Sequence, residues 1–145
     1  MIHLNIGSNL NSKFGTRFKN ISIAINLLTT AKLRIKKISN FYQTPSYPNK
    51  NLPKFINIGL AAEYDFHYSK LIKEILLIER KIGRVRSKKN DPRVCDIDII
   101  DYDNKYIEIK EKLKNLTIPH QRMHLRNFVL IPLHEICKDW KHPKK

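Results

Sequence analysis

The sequence predicts an α+β fold: one antiparallel sheet built in the order β-α-β-β-α-β, with a helical extension at the C-terminal side. Three observations carry that expectation. Short alternating or continuous apolar runs near 2–6, 55–66 and 94–102 read as strands, two stretches with apolar residues at helical spacing lie between strands, and Gly, Pro and Asn clusters punctuate the boundaries. A length of 145 residues suits a single domain over 1–145 with one continuous core.

Ile2, Leu4 and Ile6 alternate as the first strand, and Gly7-Ser8-Asn9 breaks it. Phe18, Ile21, Ile23, Ala24, Leu27 and Leu28 then recur as a helix would require. A second strand is expected over 34–42, from Ile35, Ile38 and Phe41. The stretch 44–53, Thr44-Pro45-Ser46-Tyr47-Pro48-Asn49-Lys50-Asn51-Leu52-Pro53, holds three prolines and reads as a long functional loop. A third strand over 55–66 and a helix over 68–82 follow, with Leu71, Ile72, Ile75, Leu76 and Ile78 on the apolar side of the helix and Gly83 at its end. The fourth strand is expected over 94–102, a turn at Asp103-Asn104-Lys105 leads into 106–109, and Phe128, Val129, Ile131, Leu133 and Ile136 mark a last packed helix. The order is the ferredoxin-like one, with helices expected on one face of the sheet.

Composition narrows the partners without choosing one. Twenty-eight Lys and Arg against thirteen Asp and Glu leave a formal charge of +15, which attracts nucleotides, nucleic acid or acidic membrane surface. A chain rich in Lys, Asn and Ile can acquire such charge from genomic base composition alone, so the sign is a weak guide. Cys95 and Cys137 lie far apart within apolar segments, as reduced buried thiols do, which favours a cytoplasmic address. The start, Met1-Ile2-His3-Leu4-Asn5-Ile6, has no leader pattern and no run approaches a membrane span, so a soluble, unprocessed protein is expected.

The densest chemistry lies between Gly83 and Asp98. Arg84, Arg86, Lys88, Lys89 and Arg93 form a cationic loop that runs into a strand bearing Asp96 and Asp98 at alternate positions, and therefore on one face. Hard carboxylate oxygens suit Mg²⁺, which completes its octahedron with water and substrate phosphate, and two such ions could hold the attacking and leaving oxygens of a phosphoryl-type transfer. Taken one residue type at a time, the same residues also fit a solvated basic loop beside a charge-blunted strand edge. The four glycines, at 7, 15, 59 and 83, allow neither a Gly-x-x-x-x-Gly-Lys-Ser/Thr loop nor a Gly-x-Gly-x-x-Gly turn, so any ATP site here must use arginine and metal.

Two further clusters remain open on residue type alone. His120 and His124 are spaced as zinc ligands on a helix can be, but no accompanying Glu or Cys pattern supports zinc; His120 with Arg126 fits phosphate or base contact as well as it fits a surface turn. Phe41-Tyr42-Gln43-Thr44-Pro45 with Phe55-Ile56-Asn57 reads as core aromatics beside a loop, or as rings and an amide that grip a flat heterocycle.

In order along the chain, Ile6-Gly7-Ser8-Asn9-Leu10, Ser39-Asn40-Phe41-Tyr42-Gln43-Thr44-Pro45, Phe55-Ile56-Asn57, Gly83-Arg84-Val85-Arg86, Pro92-Arg93-Val94-Cys95-Asp96-Ile97-Asp98-Ile99, and Ile118-Pro119-His120 followed by Arg126-Asn127-Phe128 resemble the 6-hydroxymethyl-7,8-dihydropterin pyrophosphokinase family of folate biosynthesis. The resemblance implies that ATP donates its β,γ-pyrophosphate to the hydroxymethyl oxygen of the dihydropterin, leaving AMP. It implies Asp96 and Asp98 as ligands of two Mg²⁺ ions, with Glu79, Arg84, Arg93, Ile99, His120 and Arg126 on ATP. Arg86, Lys89 and Arg93 are implied as catalytic, with Arg86 and Lys89 in the loop that closes over the reacting groups, where they serve the transition state rather than ground-state binding. Gly7, Thr44, Pro45, Tyr47, Phe55, Asn57, Asp96 and Phe128 are implied around the pterin. Phe55 stands where tyrosine is frequent, Asn90-Asp91 where an aromatic and a glycine often precede the Pro-Arg pair, and Gln121 where an aromatic often follows the histidine. The implied partners are small molecules, with no membrane, a monomeric state and no nucleic acid. A nucleic-acid module is the competing class, since ferredoxin-like sheets can carry RNA, yet it leaves Asp96 and Asp98 unexplained. A decayed enzyme, hinted at by Asp91, is the third.

Overall fold

A computed structural model describes residues 1–45, 51, 53–84, 93–111 and 114–144. Its elements are β1 (Ile2–Ser8), α1 (Arg17–Thr30), β2 (Arg34–Ile38), β3 (Tyr42–Thr44), β4 (Phe55–Glu63), α2 (Tyr68–Ile82), β5 (Asp96–Tyr102), β6 (Ile107–Glu111), β7 (Lys114–Ile118) and α3 (Asn127–Ile136), with a 3-10 turn at Met123–Leu125 before α3. The main sheet runs β2-β4-β1-β5, every pair antiparallel, and β3 pairs with β4 beyond β2. Two β-α-β halves sharing one antiparallel sheet is the ferredoxin-like arrangement that the element order predicted.

Alternation decides which side of the sheet each residue serves. Ile2, Leu4 and Ile6 of β1, Ile56, Ile58, Leu60 and Ala62 of β4, and Ile97 and Ile99 of β5 join one core with α1 and α2. In α2 the buried positions Leu71, Ile75, Ile78, Glu79 and Ile82 follow helical spacing, and the helix stops at Gly83, whose φ of 116° lies in the left-handed region that glycine tolerates. The opposite face carries Asn5, Gly7, Asn57 and Gly59, and α3 packs across part of it through a second cluster of Ile100, Met123, Val129 and Leu133. Helices therefore cover both faces, where the sequence suggested one. The third helix needs its own apolar patch, and strand alternation supplies part of it by placing Ile100 on the face of Asp96 and Asp98, opposite Ile97 and Ile99.

Three other expectations are corrected. The strand expected over 34–42 divides into β2 and β3, because the Ser39 hydroxyl takes the Gly59 N–H at 2.8 Å and the Asn40 N–H turns to Glu135 of α3. The third strand ends at Glu63, and the fourth starts at Asp96. A hairpin of β6 and β7 stands beside the main sheet, of which the sequence suggested only the first strand.

Candidate active site

Asn57, Gly7 and Asp96 face one another across β4, β1 and β5, a direct row of partners in the pairing register. The next row holds Gly59, Asn5 and Asp98. Antiparallel partners lie about 5 Å apart and share a face, so these rows bring a carboxamide, a bare backbone and two carboxylates onto one surface. Gly7 matters through what it lacks: a Cβ there would come within 2.6 Å of Asn57 Oδ1 and 3.5 Å of the Phe55 ring. The Asn57 amide therefore lies across Gly7. Its Nδ2 donates to Thr44 Oγ1 at 3.2 Å, which fixes which end of the amide faces which way. Thr44, Phe55, Gly7 and Asn57, which the resemblance implies around one ligand, form one corner.

Charge occupies the other end of the row. The Asp96 carboxylate accepts from Arg84 Nη1 at 3.1 Å on one oxygen and from Arg93 Nη1 at 2.9 Å on the other. Arg84 also donates to Glu79 at 2.6 Å, and the same Glu79 oxygen takes the Ile97 N–H at 2.9 Å. Burial works against the Arg84 charge, but Asp96 and Glu79 outweigh it and hold the guanidinium above its ordinary pKa. Glu79 is 4% exposed. It thus holds the start of β5 and the base of Arg84 at once. Neighbouring Cys95 is a buried thiol whose pKa is pushed up by burial, which leaves it unreactive.

The remaining expected residues fall in four groups. Phe128 opens α3 beside the second row, where Asn5 Nδ2 donates to its carbonyl at 2.8 Å, and the Arg126 guanidinium lies 5.4 Å from the Phe128 ring centre. His120 is half-buried and its Nδ1 accepts from the Arg122 N–H at 3.1 Å, while Pro45 lies exposed just past β3. The Ile99 side chain points to the helical core and is 5% exposed. Tyr47, Arg86 and Lys89, like Lys88, Asn90 and Asp91, lie outside the described residues.

Asp96 and Asp98 project from one face at the start of an edge strand. That donor set fits Mg²⁺, which takes one or two carboxylates and leaves its other positions to water and phosphate. No group of three or more His, Cys, Asp or Glu able to hold a metal occurs among the described residues.

One row thus carries a carboxamide over a bare glycine at one end and a carboxylate braced by two arginines at the other. The model of the 7,8-dihydro-6-hydroxymethylpterin-pyrophosphokinase family aligns with residues 3–138. The chain belongs to this pyrophosphokinase family. A Synechocystis 2-amino-4-hydroxy-6-hydroxymethyldihydropteridine pyrophosphokinase is 33% identical over 93% of this chain and 67% of its own length. The Haemophilus influenzae protein of the same name is 32% identical over 94% of this chain and 81% of its own. Against the folic acid synthesis protein of Pneumocystis carinii, 34% identical over 98% of this chain, the chain spans only 18% of the relative's length. Among solved structures, an HPPK-DHPS in complex with substrates superposes on 99% of this chain and 41% of its own with a TM-score of 0.69, at 16% identity, which supports the fold. Pyrophosphoryl transfer to hydroxymethyldihydropterin in folate biosynthesis is the activity of the family's homologues, with ATP as co-substrate.

Sequence reading assigned no role to three of the residues that shape this candidate site. Asn5 supports Phe128, Asn9 binds Arg93, and Asn20 pins the turn after β1 by donating to Leu10 O at 2.8 Å. Asn20 alone gave a signal, a polar residue next to the apolar stripe of α1.

Proposed function

We propose that this chain transfers the β,γ-pyrophosphate of ATP to the hydroxymethyl oxygen of 6-hydroxymethyl-7,8-dihydropterin, releasing AMP, as one pyrophosphokinase domain over 1–145. The observation that carries the reading is the row Asn57–Gly7–Asp96, which joins a site for a flat amide-edged ring to an arginine-braced carboxylate along a single register. Asn57 reads the pterin edge with its orientation set by Thr44. Gly7 leaves room under the ring, Phe55 and Phe128 supply faces for stacking, and Pro45 with Tyr47 borders the ring.

Asp96 and Asp98 hold two Mg²⁺ ions, which when bound neutralise and orient the phosphate oxygens. Arg84 and Arg93 bind ATP phosphates. Their present carboxylate partner, Asp96, is a metal ligand in this reading, so both guanidiniums can move from Asp96 to phosphate with their charge preserved. His120 and Arg126 complete the phosphate and ribose contacts, and the Ile99 backbone with Glu79 borders the adenine. Arg93, with Arg86 and Lys89, stabilises charge on the transferred group. The free thiols Cys95 and Cys137 suit work in the cytoplasm, and the enzyme acts as a monomer.

The test is AMP formation from ATP, with and without the dihydropterin and with and without Mg²⁺. AMP that requires both, with no ADP, is expected. ADP as product, or AMP independent of the pterin, would contradict the reading.

A further inference from the structure

Asn9 is 1% exposed and sits in the turn that follows β1, with no contact to substrate or metal assigned to it. Its side chain reaches two segments that are remote in sequence. Asn9 Oδ1 accepts the Arg93 N–H at 2.7 Å, its own N–H donates to the Arg93 carbonyl at 3.1 Å, and Nδ2 donates to the Pro53 carbonyl at 3.3 Å. Arg93 is the residue whose guanidinium grips Asp96, and Pro53 lies two residues before Phe55, whose ring borders Gly7. The turn itself is fixed from below: Asn20, fully buried, donates to Leu10 O at 2.8 Å and to Ser8 Oγ at 3.3 Å.

We propose that Asn9 is a positioning residue that sets the anion-binding side and the ring-binding side of the site against each other, so that one carboxamide governs affinity for both substrates. The physical basis is its division of labour. Among the described residues, the acceptor oxygen serves the arginine side and the donor nitrogen serves the aromatic side. A buried amide satisfied in this way is costly to alter, because each lost partner leaves a desolvated backbone group behind. Asn9→Asp separates the two halves. The carboxylate still accepts from the Arg93 N–H, but it can no longer donate to Pro53, and it sets an anion against the Pro53 carbonyl. Asn9→Ala removes both links.

This inference deepens the pyrophosphokinase reading and rests on it. The experiment is calorimetric titration of wild type, Asn9→Asp and Asn9→Ala with 6-hydroxymethyl-7,8-dihydropterin and, separately, with a non-hydrolysable ATP analogue plus Mg²⁺. It is run at pH 8, to favour the ionised form of the introduced carboxyl, with thermal unfolding recorded alongside. Asn9→Asp is expected to weaken pterin binding about tenfold while nucleotide binding stays within about threefold, and Asn9→Ala to weaken both about tenfold or more. A residue that only supports the fold would lower the melting temperature without separating the two ligands. Equal changes for both ligands in Asn9→Asp, or unchanged binding in either folded variant, would overturn the proposal. If Asn9→Ala does not fold, Asn9→Asp alone decides. A wild-type chain that binds neither ligand would instead sink the parent reading, before any substitution is considered.

Discussion

Asn57 lies over Gly7 so closely that a single added carbon on Gly7 would come within 2.6 Å of its Oδ1. The contact joins the residue that would read the pterin edge to the strand that faces Asp96. Gly7→Ala must therefore displace the Asn57 amide and disturb its bond to Thr44 Oγ1, now 3.2 Å. Overpacking of this kind costs about 1–3 kcal/mol, felt here by the ligand more than by the fold because the displaced group is a side-chain end. We expect KM for the pterin to rise about ten- to hundredfold with a small change in melting temperature. Unchanged pterin KM would separate Gly7 from the ring site.

Asp98 tests the metal assignment more cleanly than Asp96 does. Removing Asp96 also releases Arg84 and Arg93, so lost activity could follow from misplaced arginines. Asp98 is half-buried on the same face, opposite Asn5. Asp98→Ala is expected to lower turnover on the order of a thousandfold or more at saturating Mg²⁺, with circular dichroism unchanged. Full activity in this variant would sink the metal assignment.

Much of this site was readable because its logic is periodic. Asp96 and Asp98 share a face for the same reason that Ile97 and Ile99 share the other, and period-2 alternation shows in the sequence. The α2 stripe and its stop at Gly83 were equally visible. What stayed hidden depends on contacts between distant segments. Ser39 breaks a strand because its hydroxyl takes a ladder position opposite Gly59, which no local pattern announces. Asn5 and Asn9 look like ordinary turn-prone asparagines in an Asn-rich chain, yet each reaches more than eighty residues away, to Phe128 and Arg93. Glu79 did leave a trace, an acid between Ile78 and Ile82 in the apolar stripe, but its partners, Arg84 and the Ile97 N–H, are set by how α2 docks on β5.

Gly59 governs the distance between the sheet and α3. A Cβ there would meet Pro132 Cβ at 3.0 Å and the Pro132 carbonyl carbon and oxygen at 3.3 Å, and backbone cannot swing aside as a side-chain end can. Gly59→Ala should therefore shift α3, the helix that begins beside Phe128. A cost of about 1–3 kcal/mol predicts a melting temperature lower by several degrees, accompanied by weaker pterin binding. Lower stability with unchanged pterin affinity would show that Phe128 does not depend on where α3 sits.

The far end of the sheet should control alkaline stability. Tyr102 is 6% exposed and donates its hydroxyl to the Phe66 carbonyl. Burial, assisted by Asp103 and Tyr64, pushes its pKa up to about 12 from an ordinary value of 10.0. The folded state thus favours the neutral phenol. Below about pH 10 both states keep the proton and the contribution is whole; between about 10 and 12 the unfolded chain releases a proton that the folded chain retains, so stability falls as pH rises. Tyr102→Phe removes this group from the balance. At neutral pH the variant should lose about 1 kcal/mol through the missing hydrogen bond, and its urea midpoint should then decline less steeply than wild type from pH 9 to 11. Some decline must persist, because burial also raises the Tyr64 phenol and Glu108 that of Tyr106. Identical slopes for the two proteins would show that the unfolded chain gains nothing from ionising Tyr102, and that its phenol is not held neutral by the fold.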